Sequence, residues 1–240
     1  MANQQIRLKH SDAVADGTMA FHFHKPAGFT FKPGQAVDLV LTDPANPQDE
    51  GLRHAFSIVS APFEDELVFA TRMRDSAYKR ILRALPAGAT AAVDGPFGSL
   101  TLHKDRARPA VFIAGGIGIT PFMSIVRQAA RDRLPQQLLL LYSNRRPEDA
   151  AFLDELQTLE KQYDNFHLAA TMTEMDKSNR QWQGETALLD ATFIQRACLA
   201  LTAPIYYLAG PPGMVTAMRQ TLNGLGVDDD DIRSEDFYGY

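Results

Sequence analysis

The chain has 240 residues, 45% of them apolar and 22% charged, with a formal net charge of −5. It can bury an ordinary core in one large unit or two small ones, and the acidic balance excludes a nucleic-acid binder that works by neutralising phosphates. One cysteine, Cys198, excludes an intrachain disulfide and an iron–sulfur cluster held by this chain's own thiolates.

From the N-terminus, Met1 to His10 has no apolar run of signal-peptide length, and no segment reaches the roughly 18 apolar residues of a membrane span. A cytoplasmic location is the expectation. Residues 19–24 alternate and 36–42 partly alternate, and 56–59, 66–71 and 90–93 are short strand-like runs between turn residues, which predicts a β barrel or sandwich. A helix is predicted over 76–85, with Ser76 as N-cap and Tyr78, Ile81, Leu82 and Leu85 on one face. The polar run His103 to Pro109 reads as a connection.

Beyond it the period changes. Strands are predicted at 110–114, 138–142, 167–171, 205–208 and 232–237, with helices near 121–132, 148–162, 188–200 and 213–224, which is the pattern of a doubly wound parallel α/β sheet. The polar stretch 174–185 reads as a loop, and Asp228 to Asp231 as a solvated acidic turn.

Two glycine turns join strand to helix in this half. In Val111 to Ser124, Gly115, Gly116 and Gly118 let backbone N–H groups approach a pyrophosphate, and Pro121 suits the first turn of a helix whose positive end favours an anion. The second turn, Ala209-Gly-Pro-Pro-Gly-Met214, falls at the same carboxyl edge, where such sheets bind ligands. In the first half, Arg53 to Pro62 offers a cation, the Phe56 ring and the Ser57 hydroxyl on one strand, a set that suits a flavin, although on their own Phe56 and Ile58 also read as core and Arg53 as solvated. Arg72 and Arg74 before the Ser76 cap make an anion site.

At the end of the second α/β strand stand Ser143, Arg145 and Arg146 with no acid, which favours the 2′-phosphate of NADPH over NADH; both arginines can instead pair with Glu148 or Asp149. The six histidines show no metal-ligand spacing beyond His22 and His24, which share a strand face, and no metal site is expected.

In order, the Phe56-Ser57 strand, Gly95-Pro-Phe-Gly98, the turn 115–121, the segment 209–214 and the ending Glu235-Asp-Phe-Tyr-Gly-Tyr240 resemble the ferredoxin-NADP reductase superfamily, specifically its small bacterial oxidoreductases without an iron–sulfur domain. The resemblance implies an N-terminal antiparallel Greek-key β-barrel binding FAD, residues 1–104, and an α/β domain binding NAD(P)H, residues 109–240. It implies hydride transfer from nicotinamide C4 to flavin N5. By that resemblance Phe56 packs on the flavin, Ser57 hydrogen-bonds it, and Ser76 meets its diphosphate. Gly115, Gly116, Gly118 and Thr120 form the pyridine-nucleotide turn. Gly210, Pro211 and Met214 stand near the nicotinamide, and Phe237 or Tyr240 covers the other flavin face. Ser57, Met214 and Phe237 are thus the residues expected at the reacting atoms. Electrons then pass to a separate acceptor: a ferredoxin, a flavodoxin, an oxygenase component or a quinone.

Two positions depart from the family pattern. His54 stands where an arginine is usual, with Arg53 beside it, and Ala209 stands where many members have cysteine. They motivate the alternative reading, a non-catalytic flavin- or nucleotide-binding module on the same fold.

Overall fold

The structure, a computed structural model, describes residues 4–42 and 52–237; Tyr240 lies outside them. Its first part contains β1 (Gln4–Ala15), β2 (Thr18–His24), β3 (Ala36–Leu41), β4 (Leu52–Ser57), β5 (Glu66–Arg72), α1 (Ala77–Ala84) and β6 (Thr90–Phe97). These strands form one antiparallel sheet in the order β4-β3-β6-β1-β2-β5. Inward residues such as Ile6, Leu8, Phe21, Phe23, Leu39 and Phe69 fill its core, and Tyr78 and Leu82 of α1 plug one end. The sheet curls as a barrel does without closing: its edge strands β4 and β5 form no ladder among the described residues, and a bond from Val59 N–H to Val68 O at 2.8 Å lies just beyond β4.

After the connection come β7 (Ala110–Gly115), α2 (Thr120–Asp132), β8 (Leu138–Asn144), α3 (Leu153–Gln162), β9 (Phe166–Met172), α4 (Ala191–Ala197), β10 (Ile205–Gly210), α5 (Pro212–Gly224) and β11 (Ile232–Asp236). The five strands are parallel in the order β11-β10-β7-β8-β9. Alternate residues of β7 bury on opposite faces: Phe112 packs with Phe122 of α2 and Leu156 of α3, while Val111 and Ile113 join Phe193 of α4 and Val215 and Leu222 of α5. Helices therefore cover both faces, as a doubly wound sheet requires. The α2 side of this core also takes in Ala20, Val59, Val68, Ala70 and Leu100, so apolar packing runs unbroken from the first sheet into the second.

Several elements differ from the sequence expectation: the strand expected over 56–59 is β4 at Leu52–Ser57, and the one expected over 90–93 extends to Phe97. β1 was not anticipated, because only Ile6 and Leu8 of its twelve residues are buried and the apolar alternation is short. The helix expected from 148 begins at Leu153: Pro147–Asp149 form a 3₁₀ turn, and Phe152 at φ +61° cannot continue a right-handed helix. The helix expected over 188–200 contracts to Ala191–Ala197, started by Asp190, whose carboxylate accepts from Phe193 N–H at 2.7 Å.

Candidate active site between the two sheets

A cleft opens between the sheets, lined by His54–Ser57 of β4, Ala70–Arg72 of β5, Lys79 of α1, and Ile117, Thr120 and Phe237 from the α/β half. Phe56 is buried, its ring 5.0 Å from His54 and 5.9 Å from Tyr78. Tyr78 donates its hydroxyl to the Leu39 carbonyl at 2.9 Å, and burial raises its pKa far above the ordinary phenol value, so it stays protonated. The Ser57 hydroxyl is fully buried without a hydrogen-bond partner. An orphaned buried hydroxyl is costly, and Ser57 is among the residues that line the cleft.

Arg53 does not line the cleft; its guanidinium is held by Asp38 at 2.8 Å and Asp94 at 2.9 Å, to which it donates. His54 does line it, with its Nδ1 2.9 Å from the Ala55 carbonyl oxygen. The cations on the cleft wall are Arg72 and Lys79. Burial, reinforced by repulsion from Arg74, pulls the Lys79 ammonium below the usual lysine pKa. Sequence reasoning missed Lys79, because a lysine on an amphipathic helix reads as solvated; its place beside buried Tyr78 and Leu82 was the available signal. Ser76 is exposed and caps α1, accepting from Lys79 N–H at 3.2 Å. Arg74 is exposed beside it.

The two glycine turns pack against each other. A Cβ on Gly118 would stand 2.2 Å from the Ala209 carbonyl oxygen, and one on Gly115 would stand 2.2 Å from Met214 Sδ and 3.2 Å from Pro211. Glycine at 118 is therefore required by rigid backbone packing, whereas at 115 the neighbour that must move is the flexible Met214 side chain. Gly116 differs: it has φ +53° and no atom within 4 Å of a built Cβ, so its open side is the one a ligand can approach. Phe237 N–H donates to the Gly210 carbonyl at 3.0 Å, and Thr120 Oγ1 to the Ile117 carbonyl at 3.1 Å. Thr120, Pro211, Met214 and Phe237 thus gather at the carboxyl ends of β7, β10 and β11, next to the cleft.

At the end of β8 the two arginines separate. Arg146 donates from Nε and Nη2 to the two carboxylate oxygens of Asp149, each at 2.9 Å, and holds that carboxyl below the usual range. Arg145 is exposed, with Nε 3.7 Å from Glu174, and Ser143 is half-buried.

Residues 112–220 match the family model of an oxidoreductase NAD-binding domain. Ferredoxin–NADP reductase B of Sorangium cellulosum is 30% identical over 207 residues, covering 83% of this chain and 82% of that protein. The chain belongs to the ferredoxin–NADP reductase family. By class it is an oxidoreductase that uses a nicotinamide nucleotide. The reductase component of propane 2-monooxygenase from Rhodococcus jostii is 30% identical over 220 residues, and this chain spans 57% of its length. In fold, a ferredoxin NADP⁺ reductase from Neisseria gonorrhoeae with bound FAD and NADP matches at a TM-score of 0.82 and 21% identity, covering 98% of this chain and 99% of that one. The residues present fit a flavin dinucleotide: the orphaned Ser57 hydroxyl, the Phe56 wall and two cations line one cleft. Among the described residues no helix is long and apolar enough to cross a membrane.

Proposed function

We propose that residues 1–104 hold FAD and residues 109–240 bring NAD(P)H to it across the cleft. Phe56 and Ser57 would hold the flavin ring, with Arg72, Lys79 and the N-terminus of α1 at Ser76 toward the diphosphate. The observation that carries this reading is the buried, partnerless Ser57 hydroxyl on a cleft walled by both sheets. Bound there, FAD supplies a centre that accepts a hydride and releases its electrons singly or in pairs.

The chain's own part is positional. Ser57 donates to or accepts from the ring edge, while Phe56 excludes water from one side. Phe237 stands where a cover for the opposite side is needed. The Gly115–Thr120 turn and Gly210, Pro211 and Met214 hold the nicotinamide nucleotide. NADPH is the preferred donor, read by Ser143 and Arg145, since Arg146 is already committed to Asp149. The acceptor is a separate ferredoxin, flavodoxin, oxygenase component or quinone, and the working compartment is the cytoplasm, where the reduced nicotinamide pool lies. Steady-state oxidation of NADPH and NADH by the FAD-loaded protein with an artificial acceptor tests the assignment. A higher kcat/KM with NADPH that Arg145→Ala abolishes supports it; an NADH preference overturns the donor reading.

A further inference from the structure

The sequence expectation of no metal site weighed His22 against its strand neighbour His24. The sheet register supplies a different partner. In the β1–β2 hairpin His10 pairs directly with His22, their rings stacked with centroids 4.2 Å apart. Asp12, two residues along β1, shares the face of His10. Its Oδ1 lies 3.0 Å from His22 Nε2 and 3.7 Å from His10 Nε2, and the three ligand atoms all lie within 4.8 Å of one another.

From these residues we infer a divalent transition-metal site on the outer face of the β1–β2 hairpin, with His10 Nε2, Asp12 Oδ1 and His22 Nε2 as ligands. Three observations carry it. The first is spacing: metal bonds of about 2.0–2.2 Å in tetrahedral geometry put ligand atoms roughly 3.3–3.6 Å apart, near the 3.0 and 3.7 Å found here, and the exposed His10 ring, stacked 14° from that of His22, turns out of the stack to aim Nε2 at the ion. The second is that His22 faces a carboxylate at both ring nitrogens, since its Nδ1 lies 2.9 Å from Glu66 of β5. A neutral imidazole has a single N–H. A second ring proton serves both carboxylates by donating from each nitrogen, and a metal ion at Nε2 serves them equally with Nδ1–H donating to Glu66. The third is the carboxylate behind the histidine: Glu66 is itself anchored by Lys9 through its other oxygen, the outer arrangement that fixes the ring and raises ligand basicity.

Two imidazoles with one carboxylate suit Zn²⁺ or Cu²⁺ and do not suit Ca²⁺ or Mg²⁺. His10 and Asp12 are exposed, which leaves the remaining coordination position to water. The bound ion clips β1 to β2 and, through Glu66, to β5, the strand whose far end lines the cleft.

Calorimetric titration of the untagged, FAD-loaded full chain with ZnCl₂, after chelator treatment and in slightly alkaline buffer, tests the site; CaCl₂ is the control. Saturable binding of one Zn²⁺ per chain, a raised melting temperature and no Ca²⁺ binding in the same range are expected. His10→Gln, Asp12→Asn and His22→Gln should each weaken Zn²⁺ at least about tenfold, and Glu66→Gln about ten- to a hundredfold, with flavin content unchanged. Absence of saturable Zn²⁺ binding to the native chain overturns the inference. So does unchanged affinity in both histidine variants, which would place the ion elsewhere.

Discussion

Arg146 grips both carboxylate oxygens of Asp149 at 2.9 Å, and that pair is the centre of a joint between the two halves of the molecule. Arg72 at the end of β5 reaches Asp149 at 3.4 Å, Arg146 reaches Asp16 of the β1–β2 turn at 3.4 Å, and Asp16 N–H donates to the Glu148 carbonyl at 2.7 Å. Asp149→Asn should lower the unfolding free energy by about 1.5–3 kcal/mol, the worth of a charged hydrogen bond. Arg145→Ala, at an exposed site, should cost less than about 0.5 kcal/mol while raising KM for NADPH. Urea unfolding of both variants checks this ordering, and the reverse order would contradict it. Because Arg146 depresses the Asp149 pKa, the pair's contribution is present above the ordinary carboxylate pKa and is lost as pH falls through the depressed value.

Ser57→Ala separates stability from turnover. The hydroxyl has no protein partner to lose, so the apoprotein should unfold within about 0.5 kcal/mol of the parent, or later. Flavin reduction by NADPH should slow about ten- to a hundredfold if the hydroxyl bonds the ring edge. Stopped-flow absorbance reads the rate, and a destabilised protein reduced at the parental rate would assign Ser57 a structural role instead.

The glycines of the first α/β turn should not respond alike. Gly118→Ala forces Cβ against the Ala209 backbone and should destabilise by several kcal/mol. Gly116→Ala meets no atom and bears only the left-handed strain, about 1–2 kcal/mol. In Gly115→Ala the obstacle is the movable Met214 side chain, so KM for the nicotinamide nucleotide should rise more than stability falls. Thermal melts with donor kinetics on the three variants test the order.

His103, in the connection, has Nδ1 2.8 Å from the Tyr207 hydroxyl, and Nε2 3.0 Å from the Arg108 carbonyl oxygen and 2.8 Å from the Gln136 side-chain nitrogen. Burial pulls its pKa below the ordinary imidazole value, with help from Arg233, Arg108 and Arg106 and against the bond to the Arg108 carbonyl. Burial thus favours the neutral ring in the folded chain. Stability should therefore be full above about pH 6.5 and decline as pH falls through that value toward the lower folded pKa. Urea midpoints between about pH 8 and about pH 5 should show this slope, and His103→Gln should flatten it.

The α/β half was legible because its strands are buried on both faces and read as apolar runs. β1 was hidden, since a mostly solvated strand carries only two inward residues. Phe56, Ser57, Thr120 and Phe237 could be named from local motifs, and the structure gathers them at one cleft. Arg53 and Arg146 could not be placed that way, because their partners Asp38, Asp94 and Asp149 are fixed by register and by a turn. The His10–His22 pair exists only once β1 is paired with β2.

The central claim is that this cleft carries a flavin reducible by a nicotinamide. Anaerobic titration of the FAD-loaded chain with NADPH, then NADH, while following the oxidised-flavin absorbance band, tests it most directly. The account predicts stoichiometric bleaching, faster with NADPH. Bound flavin that neither nucleotide bleaches, or a chain that retains no flavin, would contradict it.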